Sequence, residues 1–212
     1  VITLAIPTYR RFDLLAACVA SALHGSMVPD RVLIIDNSGG DCPPIEGAQI
    51  RQGRQPQSVA KAWNDACRLA SRDFIILSND DITFAPNTIA RLVGEAQHYP
   101  KAGIVSPIEG QRFSCFLIRW AAYLDIGGFD EGYTAAYFED NHAARMLALR
   151  GWAMALAPSN VQHVGSATIA TYDTARMQQH HQDFRANEAR YVRCWGGPPH
   201  HERYTVPFGG QA

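Results

Sequence analysis

The run Ile75-Ile76-Leu77-Ser78-Asn79-Asp80-Asp81-Ile82 leaves a chain of this kind few ways to fold. Successive aliphatic residues without polar alternation read as a strand buried on both faces. The abrupt change to Ser-Asn-Asp-Asp places adjacent carboxylates at that strand's carboxyl end. Open α/β sheets bind ligands at such ends. An oxygen-rich cluster there suits a hard divalent cation that also touches substrate phosphates. The competing reading is a turn whose Asn and Asp cap the next helix.

The preceding sequence repeats the pattern. Residues 1–6 (VITLAI) form a strand that Pro7 is expected to end. Leu14, Leu15, Cys18, Val19 and Leu23 follow at helical spacing. Residues 31–36 (RVLIID) are a second strand, with Asn37-Ser38-Gly39-Gly40 as its turn. Ser58 stands where it would N-cap a helix carrying Val59, Trp63, Cys67 and Leu69. Residues 73–77 are the third strand, Pro86-Asn87-Thr88 opens a helix through Ala96, and Ile104-Val105-Ser106 is a fourth strand. Strand–helix alternation of this kind predicts an α/β fold with a doubly wound, mostly parallel, Rossmann-like sheet. The strand ends then bring Pro7-Thr8, Asp36-Asn37 and Asn79-Asp80-Asp81 to one rim.

From about residue 111 the pattern changes. Residues 113–120 are expected to be a strand, and residues 124–131 (LDIGGFDE) a glycine-rich turn. Phe138-Glu139-Asp140-Asn141-His142 opens a helix running to Arg150. Carboxylates in a first helical turn are favoured by the macrodipole, which accounts for one of the two acids but not for both beside Asn-His. Residues 172–193 read as a polar helix, and the end from Trp195 through Phe208 as an irregular tail.

Of the 212 residues 47% are hydrophobic, enough for one well-packed domain or one domain plus a small appendage. The net charge of −1 demands no polyanionic partner. The 5 cysteines are odd in number and widely spaced, as in a reduced, cytoplasmic protein; Cys18 and Cys67 fall on apolar helix faces. No segment has the roughly 18 continuous apolar residues of a membrane span, and no signal-type segment opens the chain. His180, His181, His200 and His201 match no zinc spacing and read as solvated.

In order along the chain, Ile6-Pro7-Thr8-Tyr9-Arg10, the Ile35-Asp36-Asn37-Ser38 strand end, Ser78 through Asp81, Gly127 through Glu131, and Glu139-Asp140 resemble the motifs of family 2 glycosyltransferases of the GT-A fold. The resemblance covers about residues 1–168. It implies a catalytic domain over 1–168, with a nucleotide-sugar half (1–110) and an acceptor half (111–168). The C-terminal helix and tail, 169–212, would pack on the same domain. It also implies a nucleotide-sugar donor. Pro7, Thr8, Arg10 and Asp36 match positions that hold base and ribose, Arg10 being suited to a phosphate fork. Ser58, Lys61 and Asn64 match a second donor-side segment. Asn79-Asp80-Asp81 stands at the family's D-x-D motif with Asn first, so Asp81 is the expected metal ligand and Asp80 faces ribose or sugar. His163 matches the position that completes the metal site, for Mn²⁺ or Mg²⁺. Gly128, Glu139 and His142 match acceptor-side positions; the family commonly has a further Asp where His142 stands. Gly127-Gly128 would let backbone approach the sugar, and Phe129, Tyr133, Tyr137, Phe138 and Trp152 are core or stacking aromatics.

The implied reaction is an inverting hexosyl transfer with a UDP-sugar favoured as donor. Asp140 would take the acceptor's proton, and the metal would neutralise the leaving diphosphate. The tail resembles those of small, phage-type members, for which the acceptor is a saccharide, a protein or a hydroxymethylated DNA base. Arg176, Arg185, Arg190, Arg193 and Arg203 would be the groups to meet phosphates there, or else a solvated helix face. Two other classes compete: a non-catalytic nucleotide-sugar-binding protein and a nucleotidyltransferase. The second usually carries a Gly-rich phosphate loop, which Pro7-Thr8-Tyr9-Arg10-Arg11 is not.

Overall fold

Uninterrupted apolar runs become the central strands, because each is covered on both faces. The computed structural model describes residues 1–52, 57–70, 73–107, 113–165 and 172–210. Strand β1 (Ile2–Thr8) leads to helix α1 (Phe12–Leu23), β2 (Arg31–Asp36), the short β3 (Gln49–Gln52) and α2 (Val59–Leu69). Then come β4 (Phe74–Ser78), β5 (Ile82–Phe84), α3 (Thr88–His98), β6 (Ala102–Pro107), β7 (Cys115–Arg119), α4 (Trp120–Asp125) and α5 (Glu139–Leu149). The last elements are β8 (Ala153–Ala157), β9 (Val161–His163) and α6 (Thr174–Trp195).

Seven strands form the main sheet in the order β3-β2-β1-β4-β7-β6-β8. Pairing is parallel except at β7, which runs antiparallel to both β4 and β6. Side-chain parity decides which layer each residue joins. Leu4, Ile6, Val32, Ile34 and Ile76 face α1 and α3, where Leu15, Cys18, Ile89 and Leu92 meet them. Ala5, Leu33, Ile35, Ile75 and Leu77 face the other way, onto Trp63 and Cys67 of α2 and Leu147 of α5. Burying each large aliphatic contributes ~1.5–3 kcal/mol. A polar substitution at Leu77 would therefore strike the middle of one layer. Cys18 and Cys67 are core residues, and all five cysteines are buried and unpaired.

Several sequence expectations shift. Pro7 does not end its strand; β1 continues to Thr8, paired with Asp36. The carbonyl of Thr8 accepts from Asn37 N on the β2 side, so Pro7 faces the β4 side, where pairing has already stopped at Ala5–Leu77. A missing N–H is harmless there. The strand expected over 113–120 is shorter, and Trp120 opens α4 instead. β3, β5, β8 and β9 were not legible from pattern. The boundaries at 110/111 and 168/169 lie outside the described residues.

Helix α6 is not an appendage in its contacts. Tyr191, Cys194 and Trp195 form a buried cluster with Tyr133 and Phe138. It ends at Gly196, whose φ of 73° is the left-handed cap that glycine favours. The tail returns to it: Arg203 N and Tyr204 N both donate to the Trp195 carbonyl, at 2.9 and 3.0 Å. Among the described residues, no helix is long and apolar enough to cross a membrane.

Candidate active site

Parallel register puts the carboxyl ends of β1, β2 and β4 on one rim, and β7 begins there because it runs the other way. Ser78 pairs with Cys115, and Asn79 N donates to the Ser114 carbonyl at 2.7 Å. At this rim Thr8 Oγ1 donates to Asp80 Oδ2 at 2.7 Å, joining β1 to the β4 end. Asp80 is buried, and desolvation pushes its carboxyl up to about 6 against the lowering effect of the Thr8 hydrogen bond. Asp80 thus titrates near neutrality.

The second rim carboxylate meets a partner from far along the chain. β5 pairs antiparallel with β9, with Ile82 opposite His163, and Val164 N donates to the Asp81 carbonyl at 3.1 Å. This two-stranded ribbon brings His163 Nε2 to 3.1 Å from Asp81 Oδ1. Asp81 Oδ1 is buried without a hydrogen bond, so His163 approaches it without the alignment of one. An orphaned carboxylate oxygen beside an imidazole nitrogen is a donor pair that fits a divalent cation. Among the described residues no group of three or more His, Cys, Asp or Glu gathers as a metal cage. Any cation here would draw its remaining ligands from elsewhere, substrate phosphates included.

Asp36 ends β2 at the same rim. It is fully buried, and accepts from Ser38 N (2.8 Å), Ser38 Oγ (2.5 Å), Gly40 N (3.1 Å) and Cys42 N (3.2 Å). Both oxygens fold the loop that follows β2, so this carboxylate shapes the rim from within. Arg10, in the left-handed region at φ 58°, pairs with Asp41 at 3.3 Å. Pro7 is half-buried beside Thr8. Ser58 caps α2, its Oγ accepting from Lys61 N at 3.3 Å, and Lys61 itself is exposed. Asn64 is buried and fully used: Oδ1 accepts from Phe129 N, and Nδ2 donates to the Phe129 carbonyl and to Glu131 Oε1. It pins the glycine turn. At Gly128, φ is 83° and a Cβ would stand 2.9 Å from Asn64 Oδ1, so only glycine fits.

On the acceptor side, Glu139 and Asp140 open α5. Burial pushes Glu139 up to about 8, with the Asp140 charge adding to it, and its Oε2 has no hydrogen-bond partner. Asp140 is also raised, again by burial, and its Oδ1 accepts from Asn141 N at 2.8 Å. Phe138, at the N-cap position, caps nothing with its side chain. His142 lies in the α6 cluster. Its Nδ1 is 3.1 Å from Tyr133 Oη and 3.3 Å from Trp195 Nε1, and burial holds it below the usual imidazole range. Of the named aromatics, Phe129, Tyr133 and Phe138 are buried, and Tyr137 is exposed.

The loop before Glu139 is strained. Ala135, Tyr137 and Phe138 all have positive φ (50°, 81° and 71°), rare for residues with side chains. Buried Asn187 of α6 holds it. Its Oδ1 accepts from Thr134 N at 3.0 Å, and its Nδ2 donates toward the carbonyls of Thr134, Ala136 and Tyr137 at 2.7, 3.0 and 3.2 Å. From the other side, Val59 N at the start of α2 donates to the Ala135 carbonyl at 2.8 Å. Asn187 carries no sequence signal, since one Asn in a polar helix reads as solvated. Of the basic residues on α6, Arg190 chelates Asp130 through two hydrogen bonds, at 3.1 and 2.8 Å.

The family model described as glycosyl transferase family 2 matches residues 3–144. Two curated relatives, N-acetylglucosaminyl-diphospho-decaprenol L-rhamnosyltransferases of two Mycobacterium tuberculosis strains, are each 22% identical over 264 aligned residues, covering 90% of this chain and 85% of theirs. A solved structure, the mannosyltransferase PcManGT from Pyrobaculum calidifontis in complex with GDP-Man and Mn²⁺, superposes with a TM-score of 0.62 at 19% identity. The match covers 74% of this chain but only 54% of that one, so the chain spans about half the length of that structure. This likeness shows the GT-A fold.

Proposed function

The chain belongs to glycosyl transferase family 2, and on that premise we propose that it moves a hexosyl group from a nucleotide-sugar to an acceptor hydroxyl. The observation that carries the reading is the convergence on one rim of the Thr8–Asp80 pair and the Asp81–His163 pair. We assign residues 1–168 to the catalytic domain, with 169–212 as the helix and tail that complete it.

The nucleotide-sugar enters at the rim of β1, β2 and β4. Pro7, Thr8 and the loop that Asp36 folds present backbone to base and ribose. Asn79 and Asp80 lie on the sugar side, and the turn through Gly128, held by Asn64, borders it. Asp81 and His163 would hold a divalent cation, Mn²⁺ or Mg²⁺, which when bound supplies Lewis-acid neutralisation of the diphosphate. The Mn²⁺ in the mannosyltransferase complex supports that choice. Asp140 accepts the proton of the attacking hydroxyl, its burial raising its basicity toward that task. Glu139, protonated at neutral pH by the same burial, donates rather than accepts a hydrogen bond, and so orients the acceptor. With one carboxylate neutral and one charged, the pair divides its roles. A single displacement follows, with inversion and no covalent intermediate.

A saccharide is the acceptor class we favour, since the curated relatives act on a glycan carried by a diphospho-lipid. A protein or DNA acceptor finds no support among these relatives. For the donor, UDP-sugars come first, with the rhamnosyl and mannosyl donors of the relatives as the next tests. Nucleoside diphosphate release from a panel of UDP-, GDP- and dTDP-sugars, with Mn²⁺ and with EDTA, tests the reading. We expect release from one donor class with metal and none in chelator. Nucleotide-sugar binding without any release would make the protein a binder only, and full activity in EDTA would sink the metal assignment.

A further inference from the structure

Arg176, in the first turns of α6, has its guanidinium carbon 4.6 Å from the Tyr9 ring centroid and 4.4 Å from that of Tyr172. Stacking between two aromatic faces fixes the plane of an arginine without using its N–H donors. The side chain is exposed; Asp173 caps the Arg176 backbone N–H at 2.8 Å, and among the described residues no carboxylate forms an ion pair with the guanidinium. Its surroundings define the position. Tyr9 follows Thr8, and its backbone N–H supports the Asp80 carboxylate. On the opposite flank, Tyr172 lies 5.8 Å ring to ring from His180, which lies 5.4 Å from Tyr137. Tyr137 in turn stands two residues before Glu139 and three before Asp140. A continuous wall thus runs from the Asp80 end of the rim to the Asp140 end, with Arg176 as its cation. A second guanidinium, that of Arg10, lies 5.6 Å from the same Tyr9 ring, but Asp41 neutralises it. Two cations on one ring, only one of them compensated, make a place for an anion.

We propose that Arg176 grips the diphosphate of the nucleotide-sugar, as a positioning residue supplied by α6 beside the strand-end donor site. This rests on the glycosyltransferase reading above. With the reacting sugar placed by that reading between Asp80 and Asp140, its diphosphate would lie beside the wall that joins them. A guanidinium with no carboxylate partner among the described residues matches phosphate oxygens in a fork.

The experiment is isothermal titration of UDP, GDP and dTDP with Mn²⁺, set against competition by the matching nucleosides, for wild type, Arg176→Gln and Arg176→Lys. Losing a hydrogen bond to a charged group corresponds to roughly 10- to 150-fold in affinity. Arg176→Gln is expected to weaken the diphosphate by that factor and leave the nucleoside unchanged. Arg176→Lys, which keeps the charge but not the fork or the stacking, should fall between. Equal diphosphate affinity in wild type and Arg176→Gln overturns the inference. So does a loss shared by nucleoside and diphosphate, which would mean that Arg176 only holds α6 in place. Failure of all three diphosphates to bind wild type would overturn the nucleotide-sugar reading itself.

Discussion

Replacing Glu139 by Gln should stabilise the protein at alkaline pH and leave it unchanged in acid. In the folded state burial pushes the carboxyl from its ordinary 4.5 up to about 8, and no hydrogen bond compensates Oε2. Below pH 4.5 both folded and unfolded chains hold the proton, and the group does not bias folding. Between 4.5 and 8 the unfolded chain releases it while the folded chain keeps it. Stability therefore falls as pH rises through this window, by about 1.36 kcal/mol per unit, and levels off above pH 8. Over the whole window the upper limit is about 5 kcal/mol, and water entry and relaxation around the carboxylate reduce it, so about 2–4 kcal/mol is expected. Glutamine has no proton to lose, so the variant lacks this slope. The assay is urea unfolding of both proteins at pH 5, 6, 7 and 8, read as the difference between them. That difference cancels the slopes from Asp80 and Asp140, which both proteins share. A gap that widens with pH supports the buried, neutral Glu139; parallel profiles would refute it.

Other outcomes follow from the same geometry. Asp140→Asn should lower turnover by about 10²–10⁴-fold with little change in donor affinity, as measured by steady-state release and titration; near-wild-type turnover beside an inactive Glu139→Gln would reverse the two roles. Asn187→Ala removes the side-chain partner of several half-buried backbone groups of residues 134–137, and should cost about 1–3 kcal/mol in urea unfolding, with turnover lost more than nucleotide affinity. His163→Ala should raise the Mn²⁺ concentration needed for half-maximal release by about tenfold or more, while Asp36-dependent folding of the β2 loop, and hence the thermal midpoint without metal, stays near wild type.

The rim was legible because parallel strands announce themselves. Three apolar runs, each ending in polar residues, fix both the sheet and the place where Thr8, Asp36 and Asp80 converge. The rest escaped for physical reasons. β3, with sequence Gln-Ile-Arg-Gln, is an edge strand whose exposed residues carry no apolar pattern. β8 is alanine-rich, and its composition favours helix; only pairing with β6 makes it a strand. Asp36 reads as a carboxylate at a strand end, and nothing local reveals that the loop behind it donates to both of its oxygens. His142 reads as an acceptor-side residue by resemblance, and Asn187 as one polar residue of a solvated helix. Both are buried by the aromatic cluster of Tyr133, Tyr191 and Trp195, whose members come together only in three dimensions.

The Asn187 clamp sets an order of events during synthesis. The parallel strands of the donor rim, β1, β2 and β4, end by residue 78, while His163, which meets Asp81 there, follows on β9. The loop before Glu139 has three residues in a conformation they would not choose, and the side chain that imposes it follows Thr134 by 53 positions. A chain emerging N-terminus first can therefore assemble its nucleotide-facing rim early, but it cannot hold its acceptor-side carboxylates in register until α6 has left the ribosome and docked. Chemistry waits for α6. A prematurely terminated chain would keep the rim's strands while lacking the geometry to transfer a sugar, so partial products are silent rather than errant.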